Sequence, residues 1–219
     1  MSAGLAPAPG PASVVELDLG SSRSCFAEYH WAGTDAVAVV LLHDEGADLD
    51  SVRDLAIPLA QQGFSVLSLD LPGHGLSSGD FEDDAPLAIA AAALFADPHD
   101  TRGVAFIAVG ATSAHLVNSP VRNCLGMVLV DPRAVPHNLP VGSVWRSTPS
   151  LFIVDPSDTE ADAATELLAG QVRAWNVRCF VHRQAASSRP QHIRALSTKF
   201  LLEQSAYRVS RDRPVKDRA

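Results

Sequence analysis

The chain has 219 residues, close to half of them hydrophobic, which is enough to close one sizeable core and too apolar for a chain that stays unfolded. Its formal net charge of -8 argues against a nucleic-acid partner, which would need a clustered Lys/Arg surface. Three scattered cysteines, Cys25, Cys124 and Cys179, have neither a disulfide framework nor metal-ligand spacing, and they suit a reducing cytoplasm.

Residues 1–13 are rich in Ala, Pro and Gly, lack the basic and apolar regions of a signal peptide, and read as a disordered start. Val14 to Leu19 and Cys25 to Trp31, separated by Gly20-Ser21-Ser22, read as an antiparallel hairpin. The grammar then changes. Val37 to Leu42 is an unbroken apolar run, as expected of a strand covered on both faces in a parallel sheet. Asp50 to Gln62 has apolar residues at helical spacing, with Asp50 or Ser51 as N-cap and Gly63 at the C-terminal stop.

The strand and helix unit repeats. Strands are predicted at Ser65 to Leu69, Val104 to Val109, Met127 to Val130, Leu151 to Val154 and Val177 to Val181. Helices are predicted at Ala85 to Phe95, from Ser113 to Leu116 onward, at Glu160 to Trp175 and at Pro190 to Gln204. This alternation predicts an α/β fold: a doubly wound, mostly parallel sheet with helices on both faces, in one domain over residues 14–204. Residues 205–219 carry five Arg or Lys against two Asp and read as a basic, mobile tail. Apolar stretches are broken well short of the roughly 20 residues a membrane span needs, so no membrane role is expected. Ligands in doubly wound sheets sit beyond the carboxyl ends of the strands, which directs attention to the residues following each strand.

Gly63-Phe64-Ser65-Val66-Leu67-Ser68-Leu69-Asp70-Leu71-Pro72-Gly73-His74-Gly75 reads like the strand and Gly-His-Gly turn of the α/β-hydrolases, and from about Val37 to Leu201 the chain resembles that family. The resemblance implies a Ser-His-Asp triad and an oxyanion hole. His74 would shape the turn beside the site. The family's His-Gly pair, whose loop lends a backbone N–H to the oxyanion hole, is here His43-Asp44-Glu45-Gly46, with two carboxylates where negative charge would develop. These three polar residues could instead line a binding loop or supply acid/base or metal chemistry.

The stretch matching the nucleophile elbow G-x-S-x-G is Gly110-Ala111-Thr112-Ser113-Ala114. Aligned on Gly110 it puts Thr112 at the nucleophile position; a shift by one uses Ser113 and leaves His115 where a small residue is wanted. The β-branch of a threonine restricts its rotamers and crowds an incoming carbonyl. Asp158 falls where the resemblance places the triad carboxylate, with Asp155 nearby. The loop that should hold the imidazole has Ala186-Ser187-Ser188 instead, so His182 or His192 would have to shift to serve. A hydroxyl without a general base stays protonated and is a poor nucleophile. The expectation is a weak or inactive hydrolase homologue that binds a small molecule or a partner protein and needs no cofactor; the alternative is an active hydrolase of esters, thioesters or amides using Thr112 or Ser113. The interval between Val130 and Leu151 is too short for a cap domain.

Overall fold

The computed structural model describes residues 11–34, 36–97, 103–134, 147–175, 177–185 and 189–211. It opens with the hairpin expected from the sequence, β1 (Ser13–Gly20) and β2 (Arg23–His30), joined through Ser21 and Ser22. Both serines have positive φ, 54° and 61°, the backbone hand that matches the twist of a tight hairpin.

The remaining strands are β3 (Ala38–Leu42), β4 (Ser65–Leu69), β5 (Val104–Val109), β6 (Cys124–Val130), β7 (Ser150–Val154) and β8 (Cys179–Arg183). All eight form one sheet in the order β1-β2-β4-β3-β5-β6-β7-β8. Pairing is antiparallel for β1 with β2 and β2 with β4, and parallel from β4 to β8. Every residue of β3, β4 and β7 is buried. Their apolar runs do not alternate because helices cover both faces.

A short 3-10 helix (Leu49–Val52) leads into α1 (Arg53–Gln61), followed along the chain by α2 (Phe81–Ala96), α3 (Thr112–Asn118), α4 (Thr159–Ala174) and α5 (Arg189–Arg211). Ala56, Leu59, Phe200 and Leu201 of α1 and α5 pack with Val39, Leu41 and Ile107 on one face of the sheet. On the other face, Ala85, Ile89, Leu116 and Leu168 of α2, α3 and α4 pack with Val40, Phe106 and Phe152. The fold is therefore the doubly wound sheet predicted, and no helix or strand among the described residues lies between β6 and β7.

Several boundaries differ from the sequence reading, three of them at helices. The helix after β3 is capped by Asp48, whose side chain accepts the Asp50 N–H, ahead of Asp50 or Ser51. Helix α2 starts four residues before Ala85, because Asp80 accepts the N–H groups of Glu82 and Asp83 and opens the helix there. Helix α5 runs through Arg211, so the start of the expected tail is helical. Residues 1–10 and 212–219, where the rest of the two terminal segments falls, lie outside the described residues.

Candidate functional site

The carboxyl ends of β3, β4, β5, β6 and β7 deliver the residues singled out from the sequence. Two loops are tied together first. Asp70, at the end of β4 and buried, accepts the Leu49 N–H at 2.8 Å and the Leu76 N–H at 3.3 Å. Gly75, at φ 53°, lies so close that a Cβ there would overlap the Asp70 carboxylate. This is why the turn needs glycine. His74 donates from Nδ1 to the Pro72 carbonyl at 2.9 Å and accepts the Gly46 N–H on Nε2 at 2.9 Å. It acts within the turn and bridges it to the loop after β3.

His43, fully buried, does the same from the other side. Its Nε2 accepts the Leu71 N–H at 3.0 Å, which fixes the proton on Nδ1, and Nδ1 donates to the Asp44 carbonyl at 2.7 Å. Burial, more than any neighbour, holds its pKa below the ordinary histidine value, so the ring is neutral. Both nitrogens are committed to backbone partners.

The strand-to-helix turn after β5 departs from the register inferred from the sequence. In a nucleophile elbow the reacting residue sits on the strained turn between strand and helix, with small residues two positions to either side. The residue in that conformation is Gly110, directly after β5, with φ 60°; Ala111 is already helical, and α3 begins at Thr112. The residues two positions away are Ala108 and Thr112, both small enough for the turn to close. The tip of the elbow thus carries no side chain.

Thr112 and Ser113 lie inside, fully buried. The Thr112 Oγ1 donates to the carbonyl of His43 at 2.6 Å and so stitches α3 to the end of β3. The Ser113 hydroxyl has no hydrogen-bond partner among the described residues. Neither residue is presented above the sheet. The physical reason is helical geometry: both residues fall in the first turn of α3, past the reversal that lifts a side chain.

Asp44 occupies the space left at the tip. Its Oδ1 accepts the Ala111 N–H at 2.8 Å and the Glu45 N–H at 2.9 Å, and a Cβ on Gly110 would overlap its carboxylate. The Ala111 N–H is the one that follows the tip residue, the backbone donor an elbow offers to an oxyanion. Here that donor already holds a carboxylate. Glu45 is exposed at the rim.

Asp158 N-caps α4. It accepts the Ala161 N–H at 3.0 Å, and the other oxygen takes the Arg133 Nη2 at 2.6 Å. The Ala161 N–H, followed by Arg133, pulls its carboxyl below the usual carboxylate range. Arg133 in turn donates its backbone N–H to the Gly110 carbonyl at 3.2 Å. A second cluster lies alongside: Arg189, at the head of α5, pairs with Asp131 and reaches Asp155 at 4.0 Å, while the Asp131 Oδ1 accepts the Asp155 N–H at 2.9 Å. Asp155 is held below the ordinary range first by the Ser157 hydroxyl and N–H, with Arg189 contributing.

His192 is exposed on α5, and His182 lies in β8. Among the described residues, no imidazole is hydrogen-bonded to Thr112, Ser113 or Asp158; His99 and His137 lie outside them. His115 packs edge-on against Phe81 at 4.6 Å, 3.7 Å from the Glu82 carboxylate. Burial pushes all three thiols up, Cys25 to about 11, so none is a ready thiolate. No three His, Cys, Asp or Glu side chains among the described residues converge as a metal centre requires.

Arg133, Arg189 and Asp131 did not stand out in the sequence. The one available signal is position: Arg189 directly follows the Ala-Ser-Ser segment where an imidazole was sought.

The sheet order, the turn after β4 and the elbow after β5 together define an α/β-hydrolase fold without a cap. Solved structures agree. An esterase from Pyrococcus furiosus superposes with a TM-score of 0.74 at 16% identity, covering 88% of this chain and 90% of that one. A dienelactone hydrolase from Anabaena variabilis gives 0.68 at 18%, covering 90% and 99%. The carboxylesterase EstE1, cloned from a metagenomic library, gives 0.65 at 15%, covering 94% and 90%. At such identities the likeness is one of fold. No protein-family model matches the chain, and no curated protein does.

Proposed function

We propose that this protein is an α/β-hydrolase homologue that does not run triad chemistry and uses the loops at the carboxyl end of the sheet to bind a small ligand or a partner protein. The observation that carries this reading is the bare tip of the elbow: Gly110 stands where the fold would lift a nucleophile. Acyl transfer needs an oxygen or sulfur there and a base to take its proton. The hydroxyls close by are spent or enclosed, since Thr112 donates inward to the His43 carbonyl. The loop that leads into α5 reads Ala186-Ser187-Ser188, with no imidazole among its residues. Fixed-charge guanidinium groups, Arg133 and Arg189, meet the carboxylates after β6 and β7. A guanidinium stays protonated near neutral pH, so these pairs can hold a shape or a ligand but the arginines cannot serve as a base.

No helix among the described residues is long and apolar enough to cross a membrane. Three free cysteines fit a cytoplasmic setting, which we include in the proposal.

Hydrolysis of short-chain nitrophenyl esters tests the reading. Purified protein is expected to release nitrophenol no faster than an equal concentration of its Thr112→Ala variant, with both at the rate of buffer plus an inert protein. Turnover that saturates with ester and disappears in Thr112→Ala would end the non-catalytic reading and favour an active hydrolase.

A further inference from the structure

We propose that Asp44 and Gly110 form an interlocked pair in which the Asp44 carboxylate is a built-in stopper, filling the space a side chain at position 110 would need and masking the Ala111 N–H. The pairing is a property of the fold and does not depend on what the protein binds.

Three observations converge on it. Gly110 has φ 60° at the tip of the turn. An ideal Cβ built there meets three atoms of one side chain, the Oδ1, Cγ and Oδ2 of Asp44. The same carboxylate bonds the backbone N–H that follows the tip, at 2.8 Å, and the N–H of Glu45, at 2.9 Å. A loop carboxylate left to itself would point to water. This one gives up part of its hydration for two amides, an exchange that charge-assisted hydrogen bonds make favourable.

The surroundings hold it in place. Arg133 attracts Asp44 through space and donates its backbone N–H to the Gly110 carbonyl, so the loops after β3, β5 and β6 all meet at the stopper. The tip of the turn after β5 consequently offers neither a nucleophile nor an open backbone donor. A ligand that needs that donor must displace Asp44, which is tethered beside it at high effective concentration. A residue with a Cβ at position 110 would have to push the Asp44 carboxylate aside.

A double-mutant cycle separates the two contributions to the cost at position 110. Left-handed φ disfavours any L-residue other than glycine, whatever stands nearby. The overlap exists only while Asp44 is present. Gly110→Ala is therefore expected to lower the melting temperature of the wild-type protein about twice as much as it lowers that of Asp44→Ala, or more, a coupling typical of residues in direct contact. Equal shifts in the two backgrounds would mean the carboxylate does not fill that space and would overturn the pairing.

If Gly110→Ala does not fold in the wild-type background, amide hydrogen exchange on the single Asp44→Ala variant carries the test. Exchange of the Ala111 N–H is expected to speed up by about tenfold while amides in the middle of β5 keep their protection. Unchanged protection at Ala111 would contradict the masking.

Discussion

Asp70→Ala is expected to lower the free energy of unfolding by about 2 kcal/mol, because it removes a charged acceptor that two part-buried backbone hydrogen bonds share. The carboxylate accepts from Leu49 in the loop after β3 and from Leu76 in the turn after β4, and its own residue is 4% exposed. A charged acceptor adds to the loss, since bonds to ionised groups are worth more than neutral ones. Asp70→Asn keeps an acceptor in the same place and is expected to recover more than half of the deficit. Urea unfolding monitored by circular dichroism measures both. A loss under about 1 kcal/mol for Asp70→Ala would show that the two loops do not depend on this carboxylate.

Phe106→Ala is expected to cost about 4 kcal/mol, at the upper end of what one side chain can remove from a core. Phe106 lies in the middle of β5, fully buried, in the cluster formed with α2, α3 and α4. Close packing leaves its neighbours little freedom to collapse into the void. The denaturant midpoint is expected to fall with the slope of the transition unchanged, the signature of lost stability in an otherwise intact fold. A cost near 1 kcal/mol would mean that the helices on that face re-pack around the gap.

Residues differ in how much they disclose before a structure is seen. The sheet was legible because β3, β4 and β7 are buried on both faces, and an unbroken apolar run such as Val39-Val40-Leu41-Leu42 has few other uses. The turn from Asp70 to Gly75 was legible because its glycines are demanded by backbone geometry, and here the overlap of a Cβ on Gly75 with Asp70 supplies the reason.

The elbow was harder. Gly110-Ala111-Thr112-Ser113-Ala114 is a string of small residues, and several registers satisfy the spacing equally. Only the backbone angle at Gly110 shows which residue stands at the tip. With Gly110 at the tip, Thr112 falls two residues later, in the first turn of α3.

Asp44 and Glu45 were legible as charges placed against a developing oxyanion. That Asp44 itself takes the Ala111 N–H depends on two loops far apart in the chain, which spacing does not encode. The same holds for Arg133 with Asp158 and Arg189 with Asp131. Ion pairs between separate loops leave no periodic trace, so a search for an imidazole passed over the guanidinium groups that stand among these carboxylates.

Intact-mass spectrometry after prolonged incubation with a fluorophosphonate asks most directly whether any hydroxyl near the turn after β5 is activated, because only an oxygen that a base has deprotonated attacks such phosphorus at a useful rate. The protein is expected to keep its unmodified mass. A single stoichiometric adduct that peptide mapping places on Thr112 or Ser113 would contradict the account.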